Sequence, residues 1–262
     1  MELNGKVAVV TGASSGIGEG IARMLAREGL RTVLVARRSS ELGRVRQDIV
    51  RDGGAAHVLV GDLRDRAFVA RLISDAEQSV GQVDVLVNNA GVANLQPTHE
   101  LNATLLDEEL EVNLRAPALL CTGVLPGMRA RRFGRIVNIA SEAGVFAHAG
   151  MAAYSSTKRG LIALTEVIQL ENHDRGVKAW AICPGMVDTP MGDDRGGRGQ
   201  RDLFLAVEDV ADLVRCLLHQ SDNVAIGPEI LVRTQRNPWV GGRPADWRSE
   251  LTVATRRGEG SG

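Results

Sequence analysis

Short, unbroken apolar runs alternate along this chain with longer stretches in which apolar residues return every three or four positions. Runs of the first kind occupy residues 6–11, 32–36, 57–60, 83–87, 135–139, 177–182 and 229–232, and each predicts a strand. Between them Ile17, Ile21, Met24 and Leu25 share one helical face, as do Phe68, Val69, Leu72 and Ile73. Further helices are predicted over 40–51, 105–131, 152–172 and 207–219. A strand that is apolar throughout, rather than alternating, is covered on both faces. Seven such strands alternating with helices predict βαβ units and a parallel sheet between two helical layers. Right-handed crossovers then make a doubly wound α/β sheet the economical topology. One domain is expected over 1–255, with no internal repeat. Residues 193–200 (DDRGGRGQ) read as a polar, Gly-rich loop, and 256–262 have the composition of a frayed tail.

Composition narrows the class of function. Of 262 residues, 44% are hydrophobic and 24% charged, as in a soluble globular protein with a sizeable core. A formal net charge of −1 gives no general attraction to nucleic acid or an anionic membrane, and aromatics at 3% leave little for base stacking. The basic clusters at 129–132 and 233–236 read as a solvated helix end and a surface strand. Cys121, Cys183 and Cys216 are far apart and lack metal-ligand spacing, so neither a disulfide framework nor a zinc site is expected. Residues 7–11 already form a core strand, which leaves no room for a signal peptide, and no apolar run reaches membrane-spanning length. A cytoplasmic protein acting on a small molecule is the expectation.

The chemistry begins at the first strand, which runs into Thr11-Gly12-Ala13-Ser14-Ser15-Gly16-Ile17-Gly18 and then a helix. Gly12 suits the tight turn, Gly16 lets backbone approach a pyrophosphate, and Gly18 lets helix and strand pack closely. Ser14, Ser15 and Ile17 belong to the same cradle, and the helix N-terminus adds N–H donors and a positive dipole end for phosphates. The spacing is G-x3-G-x-G rather than G-x-G-x-x-G, and no Gly-Lys-Ser/Thr follows, which disfavours a P-loop. An acid about 20 residues past such glycines binds ribose hydroxyls in NAD-specific sites. Here Ala36 stands there, followed by Arg37 and Arg38. A guanidinium can hold the 2′-phosphate that a carboxylate would repel, so NADP(H) is expected rather than NAD(H).

At Asn88-Asn89-Ala90-Gly91, after the fourth strand, the chain resembles the short-chain dehydrogenase/reductase family, in its NADP-preferring branch. The resemblance covers roughly residues 3–235 and rests on several motifs in one order. They are the glycine turn, Asp62 after the third strand, Asn88–Gly91, Asn113, Ser141, Tyr154-x-x-x-Lys158, and Pro184-Gly185 with Thr189. It implies a Rossmann-type sheet in which Asp62 hydrogen-bonds adenine and Asn89 with Gly91 lines the cofactor cleft. It also implies that Thr189 anchors the nicotinamide carboxamide, with Leu63, Ala90, Tyr154, Lys158, Pro184, Gly185 and Val187 completing the cofactor set.

The same resemblance implies a catalytic set of Asn113, Ser141, Tyr154 and Lys158. Tyr154 is the only tyrosine, and Lys158 shares its helical face one turn on. A phenol is a poor base near neutrality, and a neighbouring ammonium favours its ionised form. Lysine also has donors to spare for a ribose hydroxyl. Ser141 follows a buried strand that delivers it to the ligand-binding edge of the sheet, although a serine there can equally be a helix N-cap. Ser141 and Tyr154 would hold a carbonyl oxygen while hydride reaches the carbon and Tyr154 gives the proton. Asn113 would hold a water beside the lysine.

Two features depart from the family pattern. Pro117 interrupts the helix of Asn113 and is expected to kink it. The substrate-covering segment 186–205 is short and rich in Gly and Arg, with Arg195, Arg198 and Arg201 available to an anionic substrate. His148, Met151 and Met186 are expected beside the substrate. An enzyme acting on a small carbonyl or alcohol is the leading reading, and an NADP(H)-sensing regulator on the same fold is the alternative. A homodimer or homotetramer built on the helices over 105–131 and 152–172 is also expected.

Overall fold

In the computed structural model, residues 3–192, 204–221 and 223–234 are described. Seven strands, β1 (Val7–Thr11), β2 (Arg31–Ala36), β3 (Ala55–Val60), β4 (Val83–Asn88), β5 (Gly134–Ile139), β6 (Val177–Pro184) and β7 (Glu229–Val232), form one sheet in the order β3-β2-β1-β4-β5-β6-β7. Every neighbouring pair is parallel. The chain winds outward from β1 to β3, then returns to the centre at β4 and winds the other way. The carboxyl ends of β1 and β4 thus flank a switch point, where loops on either side part and leave a crevice.

Helices cover both faces. On one lie α1 (Gly16–Arg27), α2 (Ser39–Arg51) and α9 (Val207–Leu218), whose Ile21, Leu25, Leu42, Val45, Val210 and Val214 pack against Val10, Leu34 and Val137. On the other lie α3 (Arg66–Val80), α5 (Ala116–Arg131) and α7 (Ala152–Asn172), packed through Leu72, Leu120, Val124 and Ile168 on Val9, Leu86 and Ala179. β1, β5 and β6 are buried along their whole lengths, as unbroken apolar runs require. Fully burying each of their Val or Ile side chains stabilises the fold by about 1.5–3 kcal/mol. Among the described residues, no helix is long and apolar enough to cross a membrane.

The expected helix over 105–131 runs as α4 (Ala103–Leu110), a π turn (Glu111–Arg115) and α5. An α-helical Pro117 would drive its ring into the carbonyl of residue 113. The chain meets this by widening: the Ala116 N–H donates to the carbonyl of Glu111, five residues back, and Pro117 sits in the first turn of α5. Such single π turns occur often at functional sites. The short helices α6 (Glu142–Val145) and α8 (Pro190–Gly192) have no counterpart in the sequence reading, being too brief for any periodicity to register.

Below the crevice a buried polar chain ties its walls together. Asn88 Nδ2 donates to Asn138 Oδ1 at 2.8 Å, and Asn138 Nδ2 donates to Thr165 Oγ1 at 2.8 Å, linking β4, β5 and α7. Inside a low-dielectric core these two bonds fix register, because a slip would strand their donors and acceptors without partners.

Candidate active site

The carboxyl ends of β1, β2, β4, β5 and β6 open into a cleft of about 320 Å³. Its floor on one side is the glycine turn. Gly12 and Gly16 have φ of +67° and +56°, a left-handed backbone that favours glycine at both positions. A Cβ on Gly18 would lie 2.3 Å from Asn89 Nδ2 and 2.4 Å from the Gly12 carbonyl oxygen, so only glycine lets α1 pack this closely. Asn89 locks the turn from the other side by donating to the Thr11 carbonyl at 3.0 Å.

The two arginines after β2 part company. Arg38 donates to Ser14 Oγ at 2.9 Å and to Ser15 Oγ at 2.8 Å, which folds its guanidinium over the glycine turn. The Arg37 side chain is 56% exposed and approaches Asp62 only to 3.9 Å. Hydrogen bonds from the Arg64 guanidinium, the nearest 2.6 Å long, hold the Asp62 carboxyl below the usual carboxylate range against the opposing pull of desolvation. Arg64 reaches on to Glu108 at 3.0 Å, so the Asp62 turn is tied to α4. No free acid stands at the end of β2, where Ala36 is.

Across the cleft Ser141 follows β5 and caps α6: its Oγ accepts the Ala143 N–H at 3.1 Å. The cap and the cleft-lining positions are therefore one residue, not alternatives. Tyr154 and Lys158, one turn apart on α7, are 6% and 3% exposed and both line the cleft. The ammonium lies 5.6 Å from the Tyr154 ring centre and donates to the Ile139 carbonyl at 2.8 Å. Burial pushes the Cys183 thiol of β6 up to about 12, which keeps it protonated.

Asn113 is fully buried within the π turn. Its amide is committed to protein: Oδ1 accepts the Val92 N–H at 2.9 Å, and Nδ2 donates to the Val92 carbonyl at 2.8 Å and to Thr157 Oγ1 at 3.2 Å. It pins the strand-end segment after Gly91 against α7. A Cβ on Gly91 would sit 3.4 Å from Asn113 Oδ1 and 3.5 Å from Lys158 Nζ, so these three positions converge.

Of the residues singled out from sequence, Gly12, Ser14, Ser15, Gly16, Ile17, Arg37, Arg38, Asp62, Leu63, Asn89, Ala90, Gly91, Ser141, Tyr154, Lys158, Pro184, Gly185, Met186, Val187 and Thr189 line this one cleft. Gly18 and Asn113 stand behind its wall. His148 and Met151 are not among its lining residues; Met151 pairs as a β-bridge with Gln96 beside it. Sequence reasoning missed Val92, in the loop after β4, and Met191 and Gly192, in the short helix α8, which line the cleft from segments that carry no motif. The two ends of the segment over 186–205 are tied together, since Leu205 N–H donates to the Met186 carbonyl at 2.9 Å and Asp188 N–H donates to that of Leu205 at 2.9 Å. Arg195, Arg198 and Arg201 lie outside the described residues.

Known proteins share the sequence pattern and the fold. The model of the family described as short chain dehydrogenase matches residues 6–198. Oxidoreductase UcpA of Escherichia coli K12 is 38% identical over 193 residues, 73% of either chain. A metagenomic short-chain oxidoreductase solved in complex with NADP is 38% identical, with a TM-score of 0.78 over 89% of this chain and 99% of that one. A variant of the actinorhodin polyketide ketoreductase, solved with NADPH, is 31% identical, with a TM-score of 0.82 over 89% of this chain and 98% of that one.

Proposed function

Because this chain belongs to the short-chain dehydrogenase family, we propose that it is an NADP(H)-dependent oxidoreductase interconverting a small ketone or aldehyde and its alcohol. The observation that carries this reading is one cleft lined both by the glycine turn with Arg38 and by Ser141, Tyr154 and Lys158.

The cleft residues suit the cofactor chemically. Arg38, Ser14 and Ser15 form a donor set for a 2′-phosphate, and Asp62, the acid among the described residues that line the cleft, is already paired with Arg64. Its carboxylate would then meet adenine, while Asn89 and Gly91 would line the cofactor cleft, Lys158 would donate to a ribose hydroxyl and Thr189 would hold the carboxamide. The resemblance of this chain to proteins solved with NADP and NADPH supports the same choice. When bound, the cofactor supplies or accepts the hydride.

The remaining chemistry belongs to the side chains. Ser141 Oγ already accepts the Ala143 N–H, so its own hydrogen is left to donate to the substrate oxygen, where negative charge develops. Tyr154 gives that oxygen its proton in reduction and takes it back in oxidation. The buried Lys158 ammonium stabilises the charge left on the phenol oxygen. With the Asn113 amide committed to Val92 and Thr157, we assign the water beside Lys158 to the Asn113 carbonyl instead. Pro117, four residues on, has no N–H to offer that carbonyl.

A second copy of the chain is part of this reading. Leu119 on α5 and Val167 and Leu170 on α7 are 40%, 48% and 72% exposed, apolar side chains on neighbouring helices that a homodimer would cover.

The test is a fluorescence titration with NADPH and NADH at one ionic strength, followed by a screen of ketones and aldehydes for NADPH consumption. NADPH should bind at least about tenfold more tightly, a difference of about 1.4 kcal/mol. Equal binding of NADH would remove the cofactor assignment, and binding of neither would remove the enzyme reading.

A further inference from the structure

Beside Ser141 stands a charge pair for which the chemistry above has no use. Glu142, the next residue, is 8% exposed on α6. Arg233, just past β7, has 15% of its side chain exposed, and its Nε lies 2.8 Å from Glu142 Oε2. The two meet as an ion pair without the alignment of a hydrogen bond. The same guanidinium lies 4.6 Å from the ring centre of Phe146, the residue that ends α6. One arginine thus grips both ends of the four-residue helix that Ser141 caps. From the other side, a Cβ on Gly144 would sit 2.9 Å from the Lys158 carbonyl carbon, so α6 rests directly on the backbone of α7 at Lys158.

A single helical turn cannot hold its own position, because nucleation costs more than so few internal bonds return. Something outside α6 has to press it onto α7. We infer that the Arg233–Glu142 ion pair is a positioning device that fixes Ser141 relative to Tyr154 and Lys158. This rests on the reading of Ser141 as the donor to the substrate oxygen. Removing one partner leaves the other charge buried and uncompensated, which drives it toward water and carries the turn with it. A displacement of about 1 Å in a reacting group costs up to about 100-fold in rate. Val232, next to Arg233, accepts the Gly185 N–H at 2.8 Å, so the end of β7 steadies the Pro184-Gly185 wall of the cleft as well.

The experiment compares Glu142→Gln and Arg233→Met, singly, together, and each in a Ser141→Ala background, with NADPH affinity and melting temperature measured throughout. Each single variant should lower kcat about 10- to 100-fold while NADPH affinity stays within about twofold. The double variant should be no slower than the worse single one, and Arg233→Lys should recover part of the loss. In the Ser141→Ala background neither substitution should lower the residual kcat by more than about twofold, because the device acts through Ser141. A general structural role would persist in that background, and that result overturns the inference. So does wild-type kcat in Glu142→Gln beside a disabled Ser141→Ala. Wild-type turnover in Ser141→Ala itself would instead overturn the reading of the serine. Should Arg233→Met fail to fold, the near-isosteric Glu142→Gln series decides alone.

Discussion

At the proposed phosphate end of the cleft, Gly12, Ser14, Ser15, Gly18 and Arg38 all come from β1, α1, β2 and the residues just past it, and they work largely through backbone shape and the two hydrogen bonds from Arg38 to Ser14 and Ser15. At the proposed substrate end, Ser141, Tyr154, Lys158 and Arg233 come from the turn after β5, from α7 and from just past β7, and they meet only through tertiary packing. The first end tolerates no added atoms, since its glycines are set by closest approach. The second depends on charges and hydroxyls held at a distance, so its failures should appear in turnover before they appear in binding.

The largest effect expected at the phosphate end is that of Gly18→Ala. Its new methyl group would collide with Asn89 Nδ2 and the Gly12 carbonyl. Overpacking of this kind costs up to about 3 kcal/mol, and if it falls on the bound state, NADPH affinity drops about 100-fold. Calorimetric titration checks it; unchanged affinity would mean that the turn is not the phosphate cradle.

Arg38→Leu sharpens the comparison by removing charge without touching backbone. Loss of charge-assisted hydrogen bonds at this exposed arginine should weaken NADPH about tenfold and leave NADH unchanged. Arg37→Leu should cost only about two- to threefold, because that side chain is 56% exposed and lies 3.9 Å from Asp62, whereas Arg38 donates to Ser14 and Ser15. Equal losses from both would show that the orientation of Arg38 on Ser14 and Ser15 does not matter.

A smaller effect concerns pH and the outer face of α1. Glu19 on α1 meets Arg23 at 2.9 Å and Arg44 of α2 at 2.6 Å. Burial raises its pKa, but the hydrogen bonds from Arg44 and Arg23 outweigh it and hold the carboxyl below its ordinary 4.5. A depressed carboxyl stabilises the fold above its unfolded pKa, and that stabilisation is lost as pH falls through the folded one. Wild type should therefore melt above Glu19→Gln at pH 7, with the gap closing below about pH 4.5. A constant gap would show that the contribution is not ionic. NADPH binding should be the same in both proteins at pH 7.

How much of this was legible in the sequence follows the same division. The glycine turn and Arg37-Arg38 could be read because their determinants are local, and the five inner strands could be read because burial on both faces leaves unbroken apolar runs; the edge strands β3 and β7 are half-buried to exposed, and only their short apolar runs marked them. Strand ends shifted by one or two residues, as for β3, which starts at Ala55, and β6, which extends to Pro184. The difference between Arg37 and Arg38 was not legible, since both follow the same strand and only side-chain direction separates them. Pro117 suggested a kink, but a π turn absorbs it and keeps Asn113 buried against Val92. Ser141 carried two readings, cap and site, because sequence cannot show that one hydroxyl accepts from backbone and also faces a cleft. The contact between Glu142 and Arg233 joins β5's following turn to the last strand, and no spacing rule connects them.

The most direct test of the central claim is Tyr154→Phe, measured for NADPH affinity and for turnover of a substrate found in the carbonyl screen. The substitution removes one hydroxyl from a buried ring and touches nothing at the phosphate end. NADPH should bind within about twofold of wild type, while kcat falls by about 10²- to 10⁴-fold, the usual contribution of a positioned proton donor. Near-normal turnover with intact binding would contradict the account, because the proton would then come from a group other than Tyr154.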